Sequence, residues 1–120
     1  MSEHNDLGKQ GENLAAEHLR KNGYNIRQQN YSFGKAEIDI VAEKNNTLVF
    51  VEVKTRQSSY LSDPEYTVSI AKQKQVIKAA NAYVKFHDLD LESRFDIITV
   101  VTNSQYTKVD HVEDAFFPTV

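Results

Sequence analysis

The stretch AEIDIVAEKNNTLVFVEVKTR, residues 36–56, reads as two apolar strands joined by a polar turn. On both sides of the turn, apolar residues recur with the period of two that is typical of strands. Asn45 and Asn46 suit the positive φ angles that a two-residue hairpin turn requires. The stretch therefore predicts a β-hairpin, around which the rest of the chain is organised.

Acidic side chains stand on this hairpin where apolar ones are usual. The register set by the turn puts Asp39 opposite Glu52 and Glu37 opposite Lys54, with all four side chains on one face. Like charges directly opposite each other destabilise a sheet, so a positive charge is expected between Asp39 and Glu52. Two sources remain open, namely Lys54 in a structural salt-bridge cluster or a hard divalent cation such as Mg²⁺.

The composition indicates one globular domain spanning residues 1–120, with 40% hydrophobic residues. The net charge of −3, from 14 Lys plus Arg against 17 Asp plus Glu, argues against nucleic-acid binding through bulk positive charge. The chain has no cysteine and no apolar run of the length that spans a membrane. We therefore expect a cytoplasmic protein without membrane association.

The first helix is expected to begin at Asp6 as N-cap, to run to about Asn22 and to end at Gly23. Glu12 lies on the flank of its apolar arc, which makes this carboxylate a candidate for function. The alternative is a carboxylate at the helix start that is favoured by the helix dipole and points outward. His18, within the arc, is interpreted as a hydrogen-bonded core histidine.

Residues 24–33 predict a polar first strand, which makes three consecutive strands with the hairpin. Residues 57–69, rich in Ser, Asp, Pro and Tyr, predict a surface loop next to the acidic cluster. Such a loop is a natural place for substrate contact.

A second helix is expected from the N-cap Ser69 to about His87. Lys72 and Gln73 at its start are candidate site residues, because a crossover after the hairpin brings this turn to the strand ends where open sheets carry their sites. Capping or loop hydrogen bonds are the alternative. Three further lysines face away from the apolar arc and are interpreted as a solvated face: Lys74, Lys78 and Lys85.

Residues 94–102, RFDIITVVT, predict a strand buried on both faces and parallel to its neighbour after the helical crossover. Asp96 within it is interpreted as a strand-end or salt-bridge residue. Residues 105–112 predict an edge strand, and residues 113–117 predict a short helix or docking segment whose two phenylalanines cover the core.

This order of elements and motifs resembles the PD-(D/E)xK nuclease superfamily, with Asp39 as the single acid and Glu52-x-Lys54 as the tripeptide. It resembles more closely the YraN-like uncharacterised protein family 0102 within that superfamily. Nearly the whole chain is covered, through the motifs GENLA at residues 11–15, AEIDI at 36–40, FVEVKTR at 50–56, Lys72, RFDII at 94–98 and HVEDAF at 111–116. The resemblance implies an α/β, restriction-endonuclease-like fold, a mixed central sheet with an αβββαβ core flanked by helices and a C-terminal edge strand.

The same resemblance implies metal-dependent, endonuclease-like hydrolysis of phosphodiester bonds in DNA or RNA. Asp39, Glu52 and the backbone carbonyl of Val53 would hold one or two Mg²⁺ or Mn²⁺ ions, and Glu12 would bind the metal directly or through water. Lys54 would position the attacking water or stabilise the transition state.

The remaining site residues implied by the resemblance have supporting roles. Glu37 would orient Lys54 or form a structural pair with it, and Arg56, Lys72 and Gln73 would contact phosphate or the attacking water. The implied partner is nucleic acid, DNA first, and a homodimer is among the open oligomeric states.

Two other functions remain open. One is a nucleic-acid-binding module on a nuclease fold without catalysis. The other is an interaction protein in which the acids and Lys54 form a salt-bridge cluster, which the negative net charge favours. Since a fold does not establish a function, the site has to decide among the three.

Overall fold

The structure is a computed structural model that describes residues 3–57 and 68–118. Two helices and five strands follow one another along the chain: α1 (Glu3–Lys21), β1 (Asn25–Phe33), β2 (Ala36–Lys44), β3 (Thr47–Arg56), α2 (Ile70–Phe86), β4 (Glu92–Thr102) and β5 (Thr107–Phe116). This is the α/β fold expected from the sequence, with α-βββ-α-ββ order and a restriction-endonuclease-like core. The expected loop of residues 57–69 lies largely outside the described residues.

The five strands form one mixed sheet in the order β1-β2-β3-β4-β5. β3 and β4 are parallel, as expected for a helical crossover, and the other neighbours are antiparallel. A core cluster containing Phe50 and Phe95 packs with α2, and a second cluster containing Val49 and Ile98 packs with α1. The helices therefore cover opposite faces, which explains why β4 is buried from Phe95 to Thr102.

The central hairpin has the turn predicted from the sequence. Asn45 and Asn46 have φ angles of 52° and 60°, and Lys44 pairs with Thr47. The expected register holds from this turn as far as the pair Ile40–Val51. The two asparagines thus set the pairing of the strands that carry the acids.

The end of α1 agrees with the sequence, whereas its beginning does not. Gly23 has φ +86°, and backbone hydrogen bonds from Gly23 to Arg20 and from Tyr24 to Leu19 close the helix in the Schellman arrangement. Asp6, expected as the N-cap, lies inside the helix, which begins at Glu3. The polar residues before Asp6 have no strong stop signal, so the helix extends through them.

α2 agrees with the sequence at both ends. Ser69 is the N-cap, its Oγ accepts a hydrogen bond from the Lys72 backbone N–H at 3.2 Å, and His87 is the C-cap. Val76, Ala79, Ala80 and Tyr83 form its buried side. This fixes the first turn of the helix, including Lys72, relative to the sheet.

The C-terminal segment departs from expectation. Residues 113–117 do not form a helix, because β5 continues to Phe116 after an irregularity near Asp114, whose φ is +54°. Pairing with β4 satisfies the backbone of this segment, which outweighs its short helical pattern. Phe116 covers the core and stacks on Phe95 with ring centroids 5.3 Å apart, but Phe117 is exposed.

Candidate functional site

The acids of the hairpin meet where β2 and β3 part. Ile38 packs in the α2 core and Ile40 in the α1 core, so the alternation of β2 shifts by one residue at Asp39. On β1, Asn30, which the register sets beside Asp39, has φ +55°. The strand pairing beyond Ile40 that would set Asp39 squarely opposite Glu52 is replaced by a side-chain contact, in which Asp39 Oδ2 accepts the Val53 N–H at 2.8 Å.

This shift corrects the expectation that Glu37, Asp39, Glu52 and Lys54 share one face. Glu37 is adjacent to Ile38, which packs against α2, so Glu37 points to the opposite, α1 side of the sheet. Glu52 is two residues from Phe50, which also packs against α2, so Glu52 lies on the α2 side. The pairing of β2 with β3 ends at Ile40–Val51, so Glu37 and Lys54 do not form the expected cross-strand pair. A hairpin register derived from a turn assumes regular strands, and the shift at Asp39 removes that assumption.

Asp39 and Glu52 nevertheless come together. The side chain of Glu52 is 12% exposed, and its pKa is raised to about 8. Burial is the largest cause, followed by a hydrogen bond with Asp39 and the negative charge of Asp39, while Lys72 acts in the opposite direction. The Glu52 carboxyl group therefore keeps its proton to a higher pH than an ordinary glutamate does.

The first turn of α2 faces this pair. Lys72 Nζ lies 3.5 Å from Glu52 Oε2, so the helix start contacts the acidic cluster as the sequence predicted. Gln73 donates a hydrogen bond from Nε2 to the Val68 carbonyl at 2.9 Å, which is the loop contact considered as the alternative. Lys72 is therefore oriented toward the acids, and Gln73 supports the segment before the helix.

Lys54 and Arg56 continue β3 beyond Glu52, and both side chains are half-buried. By strand alternation both belong to the same side of the sheet as Glu52. Each of the two has polar or electrostatic interactions. The strand thus brings two cations to the side on which Lys72 and Glu52 meet.

Glu12 reaches the same region from α1. Burial raises the pKa of Glu12, the charges of Asp39 and Glu37 raise it further, and a hydrogen bond with Asn30 lowers it. Gly11 lets the helix approach closely, because a Cβ there would overlap the Thr55 side chain on β3. Glu12 therefore faces the other acids, as its position on the edge of the apolar arc indicated.

The donor set can be compared with what a cation requires. Within residues 3–57 and 68–118, no group of three or more His, Cys, Asp or Glu side chains converges closely enough to hold a metal ion. Asp39 and Glu52 do provide two adjacent carboxylates, and Mg²⁺ commonly binds through one or two carboxylates while it retains several waters. The residues fit a sparsely ligated Mg²⁺ or Mn²⁺ better than a fully protein-enclosed site.

A second acidic centre is more elaborate than the sequence predicted. Asp96 is fully buried, Arg94 donates to its two oxygens at 2.9 and 2.8 Å, and the Asp114 N–H donates to Oδ1 at 2.9 Å. His111 Nε2 lies 2.7 Å from Asp96 Oδ2, and His111 Nδ1 lies 3.3 Å from His18 Nε2.

The sequence signalled this network only weakly. Asp96 was interpreted as a salt-bridge residue and His18 as a hydrogen-bonded core histidine, and both interpretations are confirmed. The link between them through His111 crosses 93 positions of the chain and has no local pattern. One available signal was Asp96, an acid within a mostly apolar strand.

Known proteins are similar to the part of the chain that carries these acids. Residues 11–100 match the model of a family described as Uncharacterised protein family UPF0102. The chain belongs to the UPF0102 family. The matched span of this family begins just before Glu12 and includes Asp39, Glu52, Lys54 and Lys72. The family description names no activity.

UPF0102 proteins of known sequence match over almost their full length. The chain is 54% identical over 117 residues to a UPF0102 protein of Flavobacterium psychrophilum, covering 98% of each chain. It is 48% identical to UPF0102 proteins of Christiangramia forsetii and Bacteroides thetaiotaomicron, again with 98% of each chain covered.

In the described part of the chain, neither helix combines the length and the apolar character that a membrane span requires.

Proposed function

We propose that this UPF0102 chain hydrolyses phosphodiester bonds of nucleic acid with the help of Mg²⁺ or Mn²⁺ held by Asp39 and Glu52. The observation that carries the proposal is the adjacency of these two carboxyl groups, since burial together with the neighbouring Asp39 raises the pKa of Glu52 to about 8. Two buried acids that repel each other are costly unless a proton or a cation lies between them. A divalent cation would remove that cost and supply the charge that phosphate chemistry needs.

The metal site would consist of the Asp39 and Glu52 carboxylates and the Val53 carbonyl, with Glu12 as a direct or water-mediated contributor. The Val53 N–H already holds Asp39 Oδ2 at 2.8 Å, so this carboxylate is oriented before any ligand binds. When bound, the metal supplies a water of lowered pKa and neutralises negative charge on the phosphate.

The cations around the acids would act on substrate. Lys54, on the same side of β3 as Glu52, would orient the attacking water and stabilise charge on the transferring phosphate. Lys72, 3.5 Å from Glu52, would contact a phosphate oxygen, and Arg56 would contact another. Gln73 would act indirectly through the Val68 segment, and Glu37 would act through its charge on Glu12.

One contact favours a competing proposal. Because Lys72 already pairs with Glu52, the acids and lysines could form a purely structural cluster in an interaction protein. This pair is long for an ion pair and Lys72 is 39% exposed, so it contributes little to stability. It does not neutralise the cluster, since the pKa of Glu52 remains high in its presence.

Calorimetric titration with Mn²⁺ tests the metal site before any substrate is known. We expect binding to the wild type, and loss of it in Asp39→Asn and Glu52→Gln. Binding should release protons and strengthen as the pH rises toward 8, because the metal replaces the proton on Glu52. Asp110→Asn is the matched control, since Asp110 is an acid paired with Lys108 on β5.

Cleavage is tested with the same proteins in Mn²⁺ and Mg²⁺ on single-stranded, duplex and branched DNA and on RNA. Lys54→Ala should lower the rate by at least about a hundredfold, and Lys108→Ala should not. Metal binding without cleavage of any substrate would favour a non-catalytic nucleic-acid module. Absence of both metal binding and nucleic-acid binding would favour the structural cluster.

A further inference from the structure

A groove on the outer side of the molecule has no role in the site described above. It lies between the β1–β2 turn and α2, and it consists of two adjoining cavities of 580 and 270 Å³ that share Phe33 and Lys78. The larger cavity is lined by Tyr31, Phe33, Lys78, Asn81, Lys85 and Phe86 among others. Its volume is in the range of cavities that hold a small planar ligand.

The aromatic rings of this groove are unusually exposed. Phe86 is 81% exposed and Phe33 is 42% exposed, while Tyr31 is anchored edge-on against Tyr83 with ring centroids 5.2 Å apart. Single exposed apolar residues are common, but two large rings gathered in one concave surface indicate a binding function. Both phenylalanines are exposed enough to contact a planar partner, although Phe86 also contacts the His87 ring at 5.1 Å in a T-shaped arrangement.

The charge of the groove is positive. Lys78 and Lys85 line the larger cavity and Lys35 the smaller one, and within the described residues neither cavity has an Asp or Glu in its lining. The helix behind it, α2, contains four lysines and no acid, although the whole chain has a net charge of −3. This local concentration of positive charge is suited to a polyanion.

The groove also leads toward the acidic site. Lys78 follows Lys72 by six residues of α2, a rise of about 9 Å along the helix. Ala36, at the other wall, precedes Asp39 by three residues of β2, about 10 Å. A strand of nucleic acid lying along the groove would reach Asp39 and Glu52 within a few nucleotides.

We propose that this groove, defined by Phe33, Phe86, Lys35, Lys78 and Lys85, binds an unpaired strand of nucleic acid, with bases stacked on the two phenylalanines and phosphates held by the lysines. Stacking requires an accessible base face, which a fully paired duplex does not offer along its length. Lys78 and Lys85, interpreted from the sequence as part of a solvated face, thus contact the backbone of the nucleic acid. The inference rests on the proposed function, because it names the form of nucleic acid that reaches the same site.

Binding of fluorescein-labelled oligonucleotides to the full chain, measured by anisotropy in EDTA, tests the groove without catalysis. The probes are a single strand of about 12 nucleotides, an abasic strand of equal length and the corresponding duplex. The single strand should bind at least about tenfold more tightly than the abasic strand, because stacking depends on the bases.

Two pairs of variants separate the rings from the charges. Phe33→Ala/Phe86→Ala should weaken single-strand binding by about tenfold or more, whereas Phe117→Ala, an exposed ring at the end of β5, should change it by less than about twofold. Lys78→Gln/Lys85→Gln should reduce the slope of log affinity against log salt by about 1.4, whereas Lys21→Gln on α1 should leave it unchanged. The exposure of Phe33 and Phe86 makes folding of the first variant expected, and circular dichroism checks it.

Equal affinity for the abasic strand, or unchanged binding in both groove variants, would overturn the proposal. So would a groove variant that alters only the oligomeric state, which would assign the groove to a second copy of the chain. If the wild type binds the single strand through the groove in EDTA but cleaves nothing in Mn²⁺, the proposed function fails and the groove stands. If it cleaves and the groove variants retain the wild-type KM, the groove proposal fails alone.

Discussion

Two acids on the same sheet have opposite pKa shifts, the fully buried Asp96 and the largely buried Glu52. Asp96 accepts hydrogen bonds from Arg94, His111 and the Asp114 backbone, and these outweigh burial, so its pKa is lowered. Glu52 has burial and a neighbouring acid against it and a long contact with Lys72 in its favour, and the balance raises its pKa to about 8. An acid is compensated when nearby donors and cations balance its charge, and such an acid has a structural role. An acid with a raised pKa is suited to binding a ligand.

Asp96 and Glu52 resemble each other in sequence, but they differ in the cation that lies two residues away on the same strand. Both acids stand in apolar strands, yet only Asp96 has a bidentate guanidinium two residues away on its own strand. Glu52 has Lys54 at the same spacing. A planar fork and a flexible ammonium differ in how completely they satisfy a buried carboxylate.

The largest effect is expected for Asp96→Asn. The substitution leaves Arg94 without its buried counter-charge and should lower the free energy of unfolding by about 3–5 kcal/mol. Urea denaturation measures it, with Asp110→Asn, in an exposed ion pair, expected to cost less than about 1 kcal/mol. Equal losses in the two variants would show that the hydrogen bonds of Asp96 contribute no more to stability than an ordinary surface ion pair.

The next largest effect is expected for Gly11→Ala, which tests how closely α1 holds Glu12 to Asp39 and Glu52. The new methyl group would overlap Thr55, at a cost of about 1–3 kcal/mol, and Thr55→Ala in the same chain should restore part of it. Gly8→Ala is the control, because a Cβ there meets nothing within 4 Å and alanine favours the helix by up to about 1 kcal/mol. A stable Gly11→Ala protein would argue against the close approach.

The pH dependence of the two acids should have opposite signs. Between pH 4.5 and about 8, folded Glu52 binds a proton that the unfolded chain has lost. In EDTA the free energy of unfolding should therefore fall as the pH rises through this range, by at most about 1.4 kcal/mol per pH unit. Glu52→Gln should flatten that slope, and Glu43→Gln, paired with Arg27, should not. The lowered pKa of Asp96 contributes stability above 3.8 that is lost as the pH falls through its folded value. Denaturation curves across this range measure both; a slope unchanged in Glu52→Gln would contradict the assignment.

The smallest effect is expected for Lys72→Met. Removing the nearby positive charge should raise the pKa of Glu52 further and move the upper end of its pH window upward. The change in the free energy of unfolding should stay below about 1 kcal/mol, because Lys72 is 39% exposed. Lys74→Met, an exposed lysine two residues on, should leave the window where it is. A larger loss would mean that Lys72 compensates Glu52 as fully as Arg94 compensates Asp96.

The site could be predicted in part from the sequence because several of its members are close along the chain. The asparagine turn brings β2 beside β3, and the crossover after β3 brings Lys72 to Glu52. The shift at Asp39 could not be predicted, because it depends on β1 and on both cores at once. For the same reason the expectation of a single face for Glu37 and Glu52 was wrong.

The remaining differences have similar causes. The last segment pairs with β4 as a strand because an unpaired backbone beside a sheet is costlier than a weak helical pattern is favourable. Lys78 and Lys85 were interpreted as a solvated face because helical periodicity records which residues point away from the core but not what lies across from them. Phe33 lies across from Lys78 only in the folded chain.

The sequence by itself determined the element order, the hairpin turn, the capped second helix, the buried parallel strand and the family, because each depends on local pattern. Only the tertiary structure decided which acid is compensated, since Asp96 receives His111 and Glu52 receives Asp39 from other strands. The free energy of a buried charge depends on the donors and charges within a few ångströms of it. Those neighbours are set by packing, and here packing places Asp39 beside Glu52 on the hairpin of residues 36–56.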